Sequence, residues 1–209
     1  MEIRNINGNS TRPTIGILGL QGAVEAHADM FAACGAAPRV VLRPADLEGI
    51  DALVIPGGES TTQKKLLNFN QLASGLVQRI AAGLPVLGTC AGLVMLAREV
   101  EGGTASKLNL MNIKVRRNAY GSQLDSFEAY IDIKGISGKF LAIMIRAPYI
   151  ISVGEGVEVL ATYEGRILAA REKHLWGCAF HPELSGDNRF HNMFLEYVKE
   201  NMVPAATPA

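Results

Sequence analysis

One cysteine in this sequence has neighbours that suit a catalytic nucleophile. Cys90 lies in the segment GTCAG, residues 88–92. This is a G-x-nucleophile-x-G pattern, in which a sharp turn from strand to helix presents the nucleophile, here a cysteine instead of a serine. The start of the helix favours a thiolate, and we expect the amide of Ala91 to donate a hydrogen bond to an oxyanion. Alone, the pattern only modestly favours catalysis over a buried structural cysteine packed beside Gly88 and Gly92.

A second candidate group is formed by His181 and Glu183 in the segment FHPE. A cysteine nucleophile needs a base that takes and returns a proton, and the base needs a group that orients it. His181 suits the first role and Glu183 the second, while Pro182 stiffens the turn between them. The alternative is a surface turn that happens to contain a histidine. Because both motifs follow predicted strands, we favour a Cys-His-Glu triad.

The other histidines and cysteines are weaker candidates. His27 and His191 lie on or beside predicted helix faces, and His174 lies in a charged turn, so a solvated or structural role is favoured for each. Cys34 closes an amphipathic helix and Cys178 lies inside a strand, which predicts two core thiols. The three cysteines are far apart and form no CxxC pair. They predict neither a disulfide framework nor a zinc site, and they fit a reducing, cytoplasmic setting.

The elements that must position these residues alternate along the first half of the chain. A glycine at position 35 ends the first predicted helix. Apolar runs predict strands and 3.6-residue periodicity predicts helices; the predicted segments are strands at 14–20, 39–42, 51–55 and 84–87, and helices at 23–34, 61–82 and after residue 90. Such alternation predicts a parallel sheet with helices on both faces. Ligand sites of such sheets lie at the carboxyl ends of the strands.

The second half of the chain has a different pattern. After about residue 104, short β-type runs follow one another with little helix between them, which predicts antiparallel strands added to the sheet. A closing helix over 186–201 is expected, capped by Asp187 and with an apolar stripe; the stripe consists of Phe190, Met193, Phe194, Tyr197 and Val198. We predict one α/β domain over residues 14–200, with a flexible leader at 1–13 and a flexible tail at 201–209.

Charge and hydropathy exclude several classes of function. Acidic and basic side chains balance at 20 each, so nothing indicates a nucleic-acid or anionic-membrane partner. The uncharged run between Arg79 and Arg98 is interrupted by Pro85 and glycines, so a strand, a turn and a helix explain it better than a membrane span. The first residues contain no apolar run that would indicate a secretory signal. These features predict a soluble protein.

Several motifs together resemble the class I, or triad, glutamine amidotransferases, and among them the glutaminase subunits of pyridoxal 5′-phosphate synthase. The motifs are GLQGAVEAH, PGGEST, GTCAGLVML, RRNAYGSQLDSFE, IRAP and FHPEL. The resemblance covers residues 14 to about 200. Tyr120 and Ser122 depart from it, since phenylalanine and arginine are usual there. Neither departure touches the predicted triad.

The resemblance implies a flavodoxin-like amidotransferase fold and an activity. The activity is hydrolysis of L-glutamine to glutamate and ammonia, with transfer of the ammonia to a partner synthase subunit that builds pyridoxal 5′-phosphate from a pentose phosphate and a triose phosphate. Pyridoxal phosphate is then a product of the complex, and this chain is expected to hold no cofactor and no metal. Family members are weak or silent alone, and docking on the synthase completes the oxyanion hole. Gln21 and Gly22 are expected to help at that interface.

The resemblance also implies site residues beyond the triad. Backbone N–H groups of Gly58 and Ala91 are expected to form the oxyanion hole, because glycines in the PGGES loop allow a close backbone approach. A guanidinium suits a carboxylate through its bidentate fork. The expected glutamine-binding residues are Gly58, Glu59, Ser60, Arg117, Ile145 and Arg146.

Three alternative functions remain open at this point. Related cysteine hydrolases and chaperone-like proteins usually place a histidine directly after the nucleophile, whereas Ala91 follows here. Another amidotransferase glutaminase, such as that of imidazole glycerol phosphate synthase, would share the triad, and only the GLQGAVEAH, RNAYGSQ and IRAP stretches favour the pyridoxal branch. A catalytically silent scaffold is the third alternative, and the intact triad argues against it.

Overall fold

The computed structural model describes residues 12–102, 108–117 and 126–202. The predicted leader and tail lie almost wholly outside the described residues, as do Tyr120 and Ser122. Within the described leader, Arg12 donates a hydrogen bond from Nε to the carbonyl oxygen of Gly35 at 2.9 Å. Among the described helices, none combines the length and apolar character that crossing a membrane requires.

The described residues form twelve strands and five α-helices. The strands are β1 (Thr14–Leu18), β2 (Ala37–Val41), β3 (Ala52–Ile55), β4 (Val86–Thr89), β5 (Ala97–Val100), β6 (Met111–Arg116), β7 (Ser126–Ile131), β8 (Phe140–Ile145), β9 (Tyr149–Val153), β10 (Glu158–Tyr163), β11 (Arg166–Glu172) and β12 (Leu175–Cys178). The helices are α1 (Val24–Ala33), α2 (Ser60–Phe69), α3 (Leu72–Ala81), α4 (Ala91–Leu96) and α5 (Arg189–Asn201).

The central 10-stranded sheet has a parallel half and a largely antiparallel half. Its order is β2-β1-β3-β4-β12-β11-β9-β6-β5, with β10 added beside β11. The pairs β2-β1, β1-β3, β3-β4 and β4-β12 are parallel, and so is β6-β5 at the far edge. The pairs β12-β11, β11-β9, β9-β6 and β10-β11 are antiparallel. β7 and β8 form a separate antiparallel pair. The predicted mostly parallel sheet with added antiparallel strands is therefore confirmed.

The core lies between the sheet and two groups of helices that cover its faces. Every residue of β3 and of β4 is buried, as expected for central parallel strands that are covered on both sides. α1 packs against α5, while α2 packs against α3 and α4. The cost of ordering the chain is offset mainly by this burial of Ile, Val, Leu and Phe side chains.

The helix predicted over 61–82 is wrong in one respect, because two helices occupy this segment. α2 ends at Phe69, and Gln71 then adopts the left-handed conformation with φ 57° before α3 begins. Neither a glycine nor a proline marks the break. The exposed Phe69 beside it shows that the apolar pattern does not stay on one face.

The segment after Cys90 is also shorter as a helix than its composition suggests. α4 has only 6 residues, all buried, and the chain then continues as β5, which pairs in parallel with β6. An all-apolar run carries no periodicity that separates a buried helix from a buried strand. The strand β5 was therefore missed.

Two smaller predictions about the helix ends and thiols need adjustment. Asn188 is the N-cap residue of α5, yet Asp187 Oδ1 still accepts the Arg189 N–H at 3.0 Å, so its carboxylate serves the same purpose one position earlier. Cys178 is fully buried, as predicted. Cys34 is only half-buried, and its thiol donates to the Asn188 carbonyl at 3.7 Å, so it is not a core thiol.

Candidate active site

The parallel pairing of β4 with β12 places the two predicted catalytic motifs side by side. Their register sets Gly88 opposite Gly177 and Thr89 opposite Cys178. Cys90 directly follows β4, and its N–H donates to the Cys178 carbonyl at 2.8 Å. The chain therefore leaves both strands at the same edge of the sheet, which is where ligand sites of such sheets occur.

Cys90 has the strained backbone that a nucleophile turn requires. Its φ of 49° and ψ of −104° lie outside the favoured regions for a side-chain-bearing residue. The flanking glycines permit the turn, since a Cβ on Gly92 would collide with the Ile55 carbonyl and one on Gly88 would lie 2.7 Å from the Gly92 backbone. Close backbone packing around residue 90 thus holds the sulfur at the sheet edge.

His181 and Glu183, the predicted base and its orienting group, are in direct contact. The Nδ1 atom of His181 lies 2.7 Å from Oε1 of Glu183. Burial lowers the pKa of His181, but hydrogen bonds and charge interactions with Cys90 and Glu183 outweigh burial and raise it to about 10. The site therefore favours an imidazolium whose Nε2 remains available to the sulfur. Since α4 is so short, this cation stabilises a thiolate more than the helix dipole does.

Gly57 is a site residue that sequence reasoning missed. A Cβ at this position would lie 3.0 Å from His181 Nδ1 and 3.3 Å from Cys90 Cβ, and it would overlap Cε1 of the imidazole. The sulfur-bearing residue and the ring therefore both pack against this bare backbone. The two consecutive glycines of the PGGES loop indicate a close backbone approach at both positions, but the sequence analysis assigns a role only to Gly58.

The predicted oxyanion donors, Gly58 and Ala91, both line the same cavity as Cys90. Ala91 is the first residue of α4, where backbone N–H groups have no partner within the helix. Gly58 has φ 154°, a conformation that a side chain would strain. Its loop is held from the other side, because Gln21 Oε1 accepts the Glu59 N–H at 2.9 Å. Gln21 and Gly22 thus lie beside this loop, as expected.

A cavity of about 320 Å³ opens at this edge and contains almost all of the predicted site residues. Glu183 lies behind it, with Oε1 directed at His181. Gln21, Val94 and Pro148 also line the cavity and were not selected as glutamine-binding residues. The predicted residues that line it are Gly58, Glu59, Ser60, Cys90, Ala91, Arg117, Ile145, Arg146 and His181.

Some charged side chains at the rim of the cavity also make contacts within the protein. Glu59 caps α2, and its carboxylate accepts hydrogen bonds from the N–H groups of Thr61 and Thr62 at 2.9 and 2.8 Å. The Thr61 N–H bond leads the interactions that lower the pKa of Glu59 to about 2. Arg117 lies 3.9 Å from the same carboxylate. Arg146, at the end of β8, has φ 44°, and such strain is frequent at binding sites.

His27 and His191 are placed quite differently from the solvated helix positions that sequence reasoning allowed. Both are fully buried, with His27 Nδ1 3.0 Å from His191 Nε2. His27 Nε2 lies 3.2 Å from Thr89 Oγ1 and 3.4 Å from Glu183 Oε2. Burial lowers the pKa of His27 to about 4 and that of His191 to about 3, so both rings are neutral at pH 7.

The two neutral rings predict that the protein loses stability in mild acid. In the unfolded chain a histidine takes up a proton near pH 6.5, whereas the folded protein keeps His27 and His191 neutral to about pH 4 and about pH 3. Below about pH 6.5 the unfolded state therefore binds more protons, and the free energy of unfolding falls as pH falls. His181 acts in the opposite direction between about pH 10 and pH 6.5, because its raised pKa keeps it protonated in the folded protein while the unfolded chain has lost the proton. Below about pH 6.5 the ring becomes protonated in both states, and this opposing effect fades.

Urea unfolding between about pH 6.5 and pH 5.0 measures this effect. Each ring contributes at most about 1.4 kcal/mol per pH unit. A His191→Phe variant removes one of the two rings and should show a shallower fall. A free energy of unfolding that stays constant across this range in the unaltered protein would contradict the prediction.

Comparison with known proteins agrees with this geometry. The model of the SNO glutamine amidotransferase family matches residues 17–200. The chain is 51% identical over 186 residues to the pyridoxal 5′-phosphate synthase subunit PdxT of Geobacillus kaustophilus, covering 89% of this chain and 95% of the relative. It is 48% identical to the corresponding protein of Bacillus pumilus, with the same coverage of both chains. A crystal structure described as a glutamine amidotransferase superposes with a TM-score of 0.84 at 38% identity, covering 88% of this chain and 98% of that one. The chain belongs to the SNO glutamine amidotransferase family.

Proposed function

We propose that this chain is the glutaminase subunit of a pyridoxal 5′-phosphate synthase. It hydrolyses L-glutamine to L-glutamate and ammonia, and it passes the ammonia to a synthase subunit in a hetero-oligomeric complex. The observation that carries the proposal is the convergence of Cys90, His181 and Glu183 at a cavity of about 320 Å³. The names of the relatives that match nearly the whole chain support the choice of pathway.

The reaction begins with attack of the Cys90 thiolate on the side-chain amide carbon of glutamine. The C–S bond forms as the carbonyl π electrons move to oxygen, which gives a tetrahedral oxyanion. Backbone N–H groups of Ala91 and Gly58 stabilise that oxyanion. Such donors contribute most where charge develops in the transition state.

Proton transfer through His181 completes both halves of the reaction. The imidazolium gives its Nε2 proton to the departing nitrogen, the C–N bond breaks, and ammonia leaves a thioester on Cys90. The neutral imidazole then takes a proton from water, which attacks the thioester and releases glutamate and the thiolate. Glu183 holds Nδ1–H throughout and so keeps His181 in the tautomer that both steps need.

The rim of the cavity recognises the amino-acid end of the substrate. Arg117 and Arg146 are the guanidinium groups of the described lining, and we assign them to the glutamine α-carboxylate. Ser60 and the backbone at Ile145 supply further polar contacts. The Glu59 carboxylate is exposed and anionic, which suits a nearby α-ammonium even while it caps α2.

Replacement of either arginine should weaken glutamine binding more than chemistry. Arg117→Ala or Arg146→Ala is expected to raise KM for glutamine by roughly 10-fold or more, because a charge-assisted hydrogen bond to the carboxylate contributes about 1.5–3 kcal/mol. Initial rates of ammonia release over a range of glutamine concentrations measure the effect. Arg79→Ala, on α3, is the control. An unchanged KM would remove that arginine from the site.

Docking on the synthase is proposed to complete the oxyanion hole. A Gly-Gly peptide reorients at low cost, and the loop at Gly57 and Gly58 contacts Gln21 and Gly22 directly. A contact on those residues would therefore reach the loop. Such coupling prevents release of ammonia when no synthase is present. We place the complex in the cytoplasm, and pyridoxal phosphate is its product and not a cofactor held by this chain.

The alternative of an amidotransferase glutaminase from another pathway has less support. Its triad would be the same, but the relatives from Geobacillus kaustophilus and Bacillus pumilus are subunits of pyridoxal 5′-phosphate synthase. The deciding experiment mixes the protein with a synthase subunit, pentose phosphate, triose phosphate and glutamine, and measures pyridoxal phosphate formation. Formation that requires both the chain and glutamine supports the proposal. Ammonia release without any gain in pyridoxal phosphate would refute the assigned pathway.

A further inference from the structure

A chain of buried polar side chains continues behind the triad. Glu183 uses Oε1 to contact His181, while its buried Oε2 makes no hydrogen bond of ordinary geometry within the described part of the protein. His27 Nε2, from α1, lies 3.4 Å from this oxygen. His191, from α5, lies behind His27 at 3.0 Å. Neither histidine touches the cavity, so substrate contact does not account for them.

The buried carboxylate oxygen constrains what His27 presents to it. A buried anionic oxygen without a donor is costly. A nitrogen lone pair at 3.4 Å would repel it, whereas an N–H would stabilise it. Hydrogen bonds in resting catalytic sites are often long and shorten in the reacting complex. The geometry therefore favours a proton on Nε2 of His27.

The contact between the two rings favours the same tautomer. One ring must donate and the other accept, because both are neutral. If His191 Nε2–H donates to His27 Nδ1, the His27 proton lies on Nε2 and His191 Nδ1 is left with only a lone pair. The reverse assignment leaves a buried N–H on His191 Nδ1, which has no hydrogen-bond partner among the described residues, and it turns a lone pair toward Glu183. That second arrangement costs more.

Thr89 connects the same ring to the glycine loop. Its Oγ1 accepts the Gly57 N–H at 3.0 Å and lies 3.2 Å from His27 Nε2. A hydroxyl oxygen has two lone pairs, so it accepts from both N–H groups. The single Nε2–H of His27 is then shared between Thr89 Oγ1 at 3.2 Å and Glu183 Oε2 at 3.4 Å. His27 thus contacts the orienting carboxylate and, through one side chain, the backbone that packs against the His181 ring.

We propose that His27 is a positioning residue for the glutaminase reaction: its Nε2–H holds the second oxygen of Glu183, and His191 fixes the tautomer in which it does so. The orientation of His181 is then set by a path through Glu183 and His27 to α5. This inference rests on the proposed glutaminase function for its kinetic consequence, but the tautomer itself does not depend on catalysis.

Nitrogen-15 NMR of the histidine-labelled chain tests the tautomer directly. The sequence has 4 histidines, so the ring signals are few, and a His27→Gln spectrum assigns those of residue 27. We expect His27 to be protonated on Nε2 and unprotonated on Nδ1 at pH 7.5. Protonation on Nδ1 overturns the proposal, whether or not the protein proves to be a glutaminase.

Kinetics in the complete complex with synthase test the consequence. His27→Phe keeps a ring but removes the N–H, and we expect kcat to fall roughly 10- to 100-fold, as is typical when a group that orients a catalytic residue is lost, with KM for glutamine changed less than about twofold. His27→Gln returns an N–H to nearly the same place and should recover most of kcat. Phe31→Leu is the matched control, because this equally buried side chain packs against His191 with ring centroids 4.9 Å apart.

The control separates positioning from general loss of packing. Phe31→Leu should lower the midpoint of thermal unfolding and leave kcat within about twofold. A wild-type kcat in His27→Phe, or a folded His27→Gln that is no better than His27→Phe, overturns the proposal. If the unaltered complex releases no ammonia, the proposed function fails instead, and the NMR result still decides the tautomer.

Discussion

Cys90→Ala should reduce glutamine-dependent ammonia release to background, a loss on the order of 10⁶-fold, as when the nucleophile of another hydrolase triad is removed. No other described side chain of the cavity lining is placed to form the acyl intermediate, since the second buried thiol, Cys178, lies within β12 and burial raises its pKa well above the usual value. The measurement is ammonia release by the complex with synthase at saturating glutamine.

A cysteine elsewhere in the chain provides the control for that experiment. Cys34→Ala should retain full activity, because Cys34 lies at the C-terminal end of α1 and its thiol donates to the Asn188 carbonyl just before α5, away from the cavity lining. An electrophilic glutamine analogue should add once to the wild type and to Cys34→Ala, and not to Cys90→Ala, as read by intact mass. Ammonia release by Cys90→Ala near the wild-type rate would exclude the mechanism.

Glu183→Gln should lower kcat by up to about 10⁴-fold while changing KM little. In serine hydrolases an acid-to-amide change at the equivalent position has this effect, because the imidazole is left in the wrong tautomer. In this protein, loss of the negative charge of Glu183 should lower kcat further. The carboxylate helps to raise the pKa of His181 against the effect of burial, so its loss also weakens the imidazolium that stabilises the thiolate.

Steady-state rates across glutamine concentrations in the complex measure this change. Glu196→Gln is the matched control, since that carboxylate is on the exposed side of α5 and pairs with Lys199. Its kcat should equal that of the wild type. A Glu183→Gln enzyme with more than about a tenth of the normal kcat would show that His181 is oriented by other contacts.

The catalytic motifs could be read from sequence because each is local. Small residues around Cys90 specify a tight turn, and a single residue, Pro182, separates the base from its acid. Parallel pairing then brings the two motifs together, because strands that run in the same direction end at the same edge of the sheet. What this reasoning could not supply was the register of β4 against β12, which depends on packing between segments far apart in the chain.

The interruption between α2 and α3 shows where local patterns fail. Gln71 takes a left-handed conformation without being glycine or asparagine. Tertiary packing compensates the local cost, with Leu67 and Leu72 fully buried on either side of the break. Helix propensities alone cannot predict that tertiary packing offsets the cost of a left-handed residue.

The sequence left open whether His27 and His191 are solvated or structural, for a related reason. On α1, Ala32 is exposed whereas His27 is completely buried. A histidine is stably buried in a core only where the core provides hydrogen-bond partners for it. Those partners come from β4, from the turn after β12 and from α5, so sequence alone could not reveal them.

The position of β12 between β4 and β11 has a consequence for biosynthesis. Until residues 175–178 leave the ribosome, β4 has a hydrophobic strand edge with no neighbour on that side. Such edges recruit strands of other chains. Premature termination before residue 175 would therefore produce an aggregation-prone remnant, and a nascent chain can bring His181 and Glu183 to Cys90 only after β12 has been made.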